Sequence, residues 1–233
     1  MRVAIVENTR VTHHGQIGVA LHEAAARIGL YRPWADGVLP DMAEYDALVV
    51  FGGEQSALAD ASHPYLPDLA ARMARTAADG KAVMGVCLGS QLLARGLGAE
   101  NRLGIAPEFG WCEVALTEAG RADPVLGARG AAFPIFQWHS DTFTLPPGAT
   151  RLAGSAVAEV QGFRYGRAGY AMQFHFEASR AVATDWKRSF PEVIDRLAPG
   201  WRDRFEAEAA GPGAAADTHG LAIARNWVAL IEG

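Results

Sequence analysis

Short apolar runs, each followed at once by a stretch with helical spacing, constrain this chain more than any other feature. RVAIVE (2–7) has the length and β-branched content of a buried strand, and HHGQIGVALHEAAARIGL (13–30) follows with helical periodicity. YDALVVFGG (45–53) ends in a glycine pair, and HPYLPDLAARMARTAADGK (63–81) reads as an amphipathic helix stopped by Gly80. AVMGV (82–86) is a third buried run and leads into CLGSQLLARGLG, again with helical spacing. Such alternation predicts a parallel sheet with helices on both faces.

The second half changes character. GWCEVALT (110–117), PIFQWHSDTF (134–143), TRLAGSA (150–156), AEVQGFRYG (158–166) and GYAMQFHFE (169–177) read as strands split by Gly/Pro turns. They predict an antiparallel extension that returns to the main sheet. After Glu177 the pattern turns helical, over 178–189, 190–209 and 218–232, and AAGPGAAAD (209–217) reads as a flexible surface loop. No internal repeat or boundary divides the chain. The expectation is one domain over 1–233, with a helical C-terminal tail from 179.

Composition narrows the chemistry. The 233 residues suffice for a substantial core, and half are hydrophobic while a fifth are charged, as in ordinary globular proteins. The net charge of −5 is spread along the chain with no Lys/Arg block, which argues against nucleic acid or a membrane surface as partner. Two cysteines, Cys87 and Cys112, do not make a disulfide framework and fit a reducing compartment. The N-terminus lacks signal-peptide features, and no apolar run approaches the ~18 residues needed to span a bilayer. A cytoplasmic enzyme acting on a small molecule is the expectation.

Cys87 stands between Gly85 and Gly89, after a strand and before a helix, in the arrangement of a nucleophile elbow. Small neighbours let the chain bend sharply there, and the bend sets the sulfur at the carboxyl edge of the sheet, beside a helix N-terminus that favours a thiolate. The Leu88 amide can point at a developing oxyanion. The pattern is equally that of a small core cysteine whose glycines pack a helix on a strand.

A nucleophile needs a base and an orienter. Of seven histidines, His13, His14, His22, His63 and His219 lie in helical or loop regions and read as solvated or capping residues. His139 and His175 lie in or at the ends of apolar strands. In QFHFEAS, His175 and Glu177 are two apart, so on a strand both side chains face the same way and the carboxylate can fix the imidazole tautomer. The pair could instead be half of a metal site, but no second cluster with ligand spacing accompanies it. FGGEQSA (51–57) places bare amides at the same sheet edge, where the Gly53 and Leu88 N–H groups would make a two-donor oxyanion hole. Taken alone, Gly-Gly is a tight turn.

In this order the pieces resemble the class I, triad-type glutamine amidotransferases, over Arg2 to about Glu177. GVCLGSQLLA is similar to the family's nucleophile signature and QFHFE to its His-x-Glu, with Phe176 where proline is common. FGGEQSA resembles its Gly-Gly oxyanion strand, with Glu54 where proline is frequent, and Ser90 stands where a larger residue is often found. WHSDTFTLPPGATRLAGS (138–155) resembles the glutamine-pocket segment of the GMP-synthase-like branch. The resemblance implies an α/β, flavodoxin-like open sheet, mostly parallel, with the catalytic portion in 1–178. It implies Cys87 as nucleophile, His175 as base and Glu177 as orienter, with Gly53 and Leu88 at the oxyanion. Gln91 would help hold the substrate, and Ser140 and Asp141 would bind its α-amino acid end. It implies no metal and no organic cofactor.

An enzyme of this kind would hydrolyse the glutamine side-chain amide through a γ-glutamyl thioester. The chain carries neither a G-x-x-x-x-G-K-[ST] loop nor G-x-G-x-x-G. Either a separate synthetase accepts the ammonia or the protein acts alone on L-glutamine. A γ-glutamyl peptidase would use the same triad on another γ-glutamyl compound. A non-catalytic regulatory module would predict a damaged triad, and here all three members are present.

Overall fold

Alternate residues of the first strands point to opposite faces, and both sets are apolar. In β1 (Arg2–Val6), Val3 and Ile5 enter one core while Ala4 and Val6 enter the other. In a run buried on both faces, each face requires a helix layer. The computed structural model, which describes residues 1–127 and 129–232, has that arrangement.

β1 is followed by α1 (Gly15–Glu23), β2 (Arg27–Tyr31), the single turn α2 (Pro33–Asp36), β3 (Ala47–Val50) and α3 (Leu66–Ala78). β4 (Ala82–Val86), α4 (Leu88–Gly96), β5 (Asn101–Arg102), β6 (Glu108–Leu116) and α5 (Glu118–Ala122) come next. Then come β7 (Ala132–His139), β8 (Thr142–Phe143), β9 (Thr150–Gly154), β10 (Gly162–Tyr165) and β11 (Gly169–Met172). The chain closes with α6 (Arg180–Ser189), α7 (Pro191–Leu197), α8 (Trp201–Glu208) and α9 (Ala214–Val228).

The main sheet has the order β2-β1-β3-β4-β11-β10-β9-β6-β7. Its first five strands are parallel, in the flavodoxin-like order with β11 as the fifth, and the last four extend it antiparallel. α3 and α4 cover one face, while α1 and α9 pack together in the core on the other. This is the α/β, mostly parallel architecture expected from the sequence. No helix among the described residues is long and apolar enough to cross a membrane.

Four local expectations change. The helix read over 13–30 ends at Glu23, and Arg27–Tyr31 is instead the edge strand β2. Ile28 and Leu30, which prolonged the apolar pattern, lie largely exposed on that edge. The helix read over 190–209 is split into α7 and α8, with Gly200 at φ 74 between them. The loop read over 209–217 is helical: a π-turn over Ala209–Gly213 runs straight into α9. A Cβ on Gly213 would lie 3.0 Å from the Trp111 ring, so this stretch is held against an aromatic cluster of Trp111, Trp201 and Phe205. Finally, the last strand stops at Met172, so Gln173–Glu177 is irregular chain with a single bridge from His175 to Phe136.

Candidate active site

β4 ends at Val86 and α4 begins at Leu88, so Cys87 alone makes the turn. Its φ of 52 and ψ of −110 are backbone angles that an L-residue adopts only under constraint. The constraint is a set of hydrogen bonds. The Cys87 N–H donates to Met172 O (2.9 Å), and its carbonyl accepts from Ser90 N (3.0 Å), Gln91 N (3.1 Å) and Ser90 Oγ (2.6 Å). Ser90 is fully buried, so its hydroxyl makes this tie inside the protein and away from water. The flanking glycines are required by contact: a Cβ on Gly85 would sit 2.4 Å from Gly89 O, and one on Gly89 2.0 Å from Val50 O. Helix α4 therefore lies directly on β3 and β4, and the thiol emerges at their carboxyl ends.

His175 reaches this point by a route the strand pattern did not describe. Its N–H donates to Phe136 O (2.8 Å), anchoring the irregular segment to β7. The His175 Nδ1 meets Glu177 Oε1 at 2.7 Å, and both side chains are buried. The carboxylate and the imidazole converge across a bend, not through the side-alternation of a strand. Glu177 is tied in turn to the start of α1, its carbonyl accepting from Gln16 N (2.9 Å). Burial by itself would depress the His175 pKa. The Glu177 carboxylate and the Cys87 sulfur, by charge and by hydrogen bonding, outweigh burial and hold it well above the ordinary imidazole value. The imidazole and the Trp186 ring pack nearly perpendicular, with centroids 5.2 Å apart.

The loop after β3 closes over both groups. A Cβ on Gly52 would lie 3.3 Å from His175 Cε1 and 3.4 Å from Cys87 Cβ. One on Gly53 would lie 3.0 Å from Leu88 Cδ2, so Gly53 and Leu88 are brought together beside the thiol. Leu88 is the first residue of α4, where an amide has no carbonyl one turn earlier to bond. Asn8, two residues past β1, fixes the loop by donating to Phe51 O at 2.8 Å. Cys87 and His175 form the floor of a cleft of about 350 Å³.

The remaining sequence candidates lie apart from that cleft. Gln91 is buried, its Nε2 donating to Gln173 Oε1 at 3.2 Å, and it does not line the cleft. Ser140 is exposed on the turn between β7 and β8, and Asp141 Oδ1 accepts from Gly104 N (2.8 Å). The strand before that turn does reach the thiol through its backbone: Cys87 Sγ lies 3.6 Å from the carbonyl of Trp138, in β7. His13 and His14 are not simply solvated. His13 lines the cleft and pairs with Asp185 (2.8 Å), and His14 pairs with Glu7 (2.9 Å) while stacking on Phe51. Sequence reasoning missed the cleft walls Trp186, Phe190, Val193 and Arg196, which come from α6, α7 and the residue joining them. The Phe190, Val193, Arg196 spacing of three was their only signal, and it reads as an ordinary amphipathic face. Among the described residues no group of three or more His, Cys, Asp or Glu could hold a metal ion.

Known proteins resemble this chain in sequence and in fold. The family model for class-I glutamine amidotransferase matches residues 20–186. The glutamine amidotransferase-like protein YfeJ of Salmonella typhimurium is 31% identical over 180 residues, 70% of this chain and 75% of that protein. A glutamine-hydrolyzing GMP synthase subunit of Natronomonas pharaonis is 28% identical over 185 residues, 78% of this chain and 91% of that subunit. In fold, the chain superposes on a glutamine amidotransferase of Thermotoga maritima with a TM-score of 0.84 and 24% identity, covering 100% of this chain and 98% of that one. A glutamine amidotransferase of Methylobacillus flagellatus gives a TM-score of 0.87 at 23% identity, covering 99% and 95%. With the family model spanning most of its length, the chain belongs to the class-I glutamine amidotransferases, a family of glutamine-hydrolysing enzymes.

Proposed function

We propose that the protein hydrolyses the side-chain amide of glutamine through a γ-glutamyl thioester on Cys87. In this reading the Cys87 sulfur attacks the amide carbon, and His175 delivers a proton to the departing ammonia. Glu177 holds the imidazole in the tautomer that leaves Nε2 for the reaction. The Gly53 and Leu88 amides bind the oxyanion. Water then adds to the thioester carbonyl, gives a proton back to His175, and glutamate leaves as the carbon–sulfur bond breaks. The observation that carries the reading is the 2.7 Å His175–Glu177 pair at the floor of the cleft that also exposes Cys87.

Gln91 acts here through Gln173, steadying the start of α4, and not by touching glutamine. Ser140 and Asp141 form the turn that follows β7, and this turn receives the α-amino acid end of the substrate, partly through its backbone. Residues 1–233 work as one unit, because α6 and α7 wall the cleft. The likeness to glutamine-hydrolyzing subunits of GMP synthases supports a separate synthetase as the acceptor of ammonia. A diazoketone analogue of glutamine tests the reading. It should label the intact protein at Cys87 and leave Cys87→Ala unlabelled; labelling that persists in Cys87→Ala overturns it.

A further inference from the structure

Ammonia needs no wall, yet the amine side of this site has one. Whichever nitrogen leaves the γ-glutamyl group must take its proton from His175, so the leaving group sits on the His175 side of Cys87. That side is lined by Trp138, Trp186 and Phe190, and the Trp186 ring packs nearly perpendicular to that of His175. α7 adds Val193 and then Arg196 one turn further out, on the same helical face as Phe190. Arg196 is exposed, and among the described residues no carboxylate pairs with it. The opposite rim carries Glu54, already bonded to Thr9 Oγ1 at 3.3 Å. The wall thus offers apolar surface near the reacting nitrogen and one unpaired guanidinium farther away.

We infer that the cleft is a leaving-group subsite for an apolar α-amino acid, so that γ-glutamyl conjugates of such amino acids are substrates. The apolar side chain lies against Trp138, Trp186 and Phe190, and the α-carboxylate meets Arg196. This rests on the acyl-enzyme reading above and adds a second amine, besides ammonia, that the same chemistry releases. The Cys87 sulfur bonds to the γ-carbonyl carbon and the carbon–nitrogen bond breaks. The proton from His175 goes to that nitrogen, and the amino acid departs with a free amino group. Water then cleaves the thioester to glutamate, so the sum is one conjugate and one water giving glutamate and the amino acid.

The test compares glutamine, γ-glutamyl-glycine, γ-glutamyl-phenylalanine and γ-glutamyl-phenethylamine as substrates of the full chain. γ-Glutamyl-phenylalanine should be cleaved with kcat/KM at least about tenfold above γ-glutamyl-glycine and above glutamine, the gain expected from covering one aromatic side chain. Arg196→Ala should cost γ-glutamyl-phenylalanine about tenfold more than it costs γ-glutamyl-phenethylamine, which has no carboxylate. Glutamine hydrolysis that depends on Cys87, with no cleavage of γ-glutamyl-phenylalanine, overturns the inference and leaves the glutaminase reading standing. Equal losses for the two aromatic conjugates in Arg196→Ala overturn the carboxylate contact. Absence of Cys87-dependent cleavage of every substrate overturns both readings.

Discussion

Among the described residues two histidine–glutamate pairs have both side chains buried, and one of the two stands over a cleft. His139 faces Glu108 across the β6–β7 ladder, with Nε2 3.3 Å from Glu108 Oε2 and 3.4 Å from Gln161 Nε2. Its Nδ1 is taken as well, 3.1 Å from Asp141 O. Both ring nitrogens are therefore committed to protein groups, and the ring serves as a brace for the turn after β7. His175 spends one nitrogen on Glu177 and keeps the other on the side of Cys87. The two cysteines divide in the same way. Cys87 sits at a bend beside a helix N-terminus, whereas Cys112 lies within β6, where burial first and then Glu108 and Glu208 push its thiol up to about 11. What sets the proposed nucleophile and base apart is therefore placement and not residue type: a ring nitrogen turned to a sulfur at the floor of a cleft.

The largest effect should come from the sulfur. Cys87→Ala is expected to lower glutamine hydrolysis by about 10⁴-fold or more, measured as ammonia release. A comparable loss in Cys112→Ser would erase the distinction between the two thiols. Next come the carboxylates: Glu177→Gln should lower kcat by roughly 10²–10⁴-fold, and Glu108→Gln by no more than about tenfold. Equal losses would mean that both pairs serve the reaction.

Stability sharpens the contrast from the other direction. His139→Ala removes the partner of a buried carboxylate and should destabilise the fold by about 2–3 kcal/mol, visible in a urea midpoint. His175 adds a pH signature. Folding raises its pKa above the unfolded value of about 6.5, so protonation favours the folded state. Its contribution is complete below that value and is lost as pH rises through the folded pKa. The difference in Tm between the native protein and His175→Gln should thus shrink as pH climbs from about 6.5. A difference that grows over that range contradicts the raised pKa. The smallest effect is on reactivity: at neutral pH a thiol alkylating agent should modify Cys87 and leave Cys112, and Cys112→Ser should keep activity within about twofold.

Much of this is legible in the order of residues. The double-sided apolar runs at β1, β3 and β4 specify a covered parallel sheet, since a strand apolar on both faces has no other stable place. Gly85, Cys87 and Gly89 specify a tight strand-to-helix turn, and the overlap that a Cβ on either glycine would make with backbone gives the steric reason. His175-x-Glu177 is visible too, although the strand invoked to explain it ends at Met172 and a bridge to Phe136 does the positioning.

Patterns that close within a few residues can be read from the chain alone: the elbow, the glycine pair after β3, the histidine two residues from its glutamate. What required the tertiary structure was everything set by distant partners. Ile28 and Leu30 form an edge strand because β1 is there to pair with, and Gly213 continues a helix because Trp111 backs it. Gln91 is turned to Gln173 and away from the cleft, and Trp186, Phe190 and Arg196 come to face a cysteine about a hundred positions earlier. Local periodicity carries a residue's face but not its neighbour, because the neighbour is chosen by packing between segments far apart in the chain.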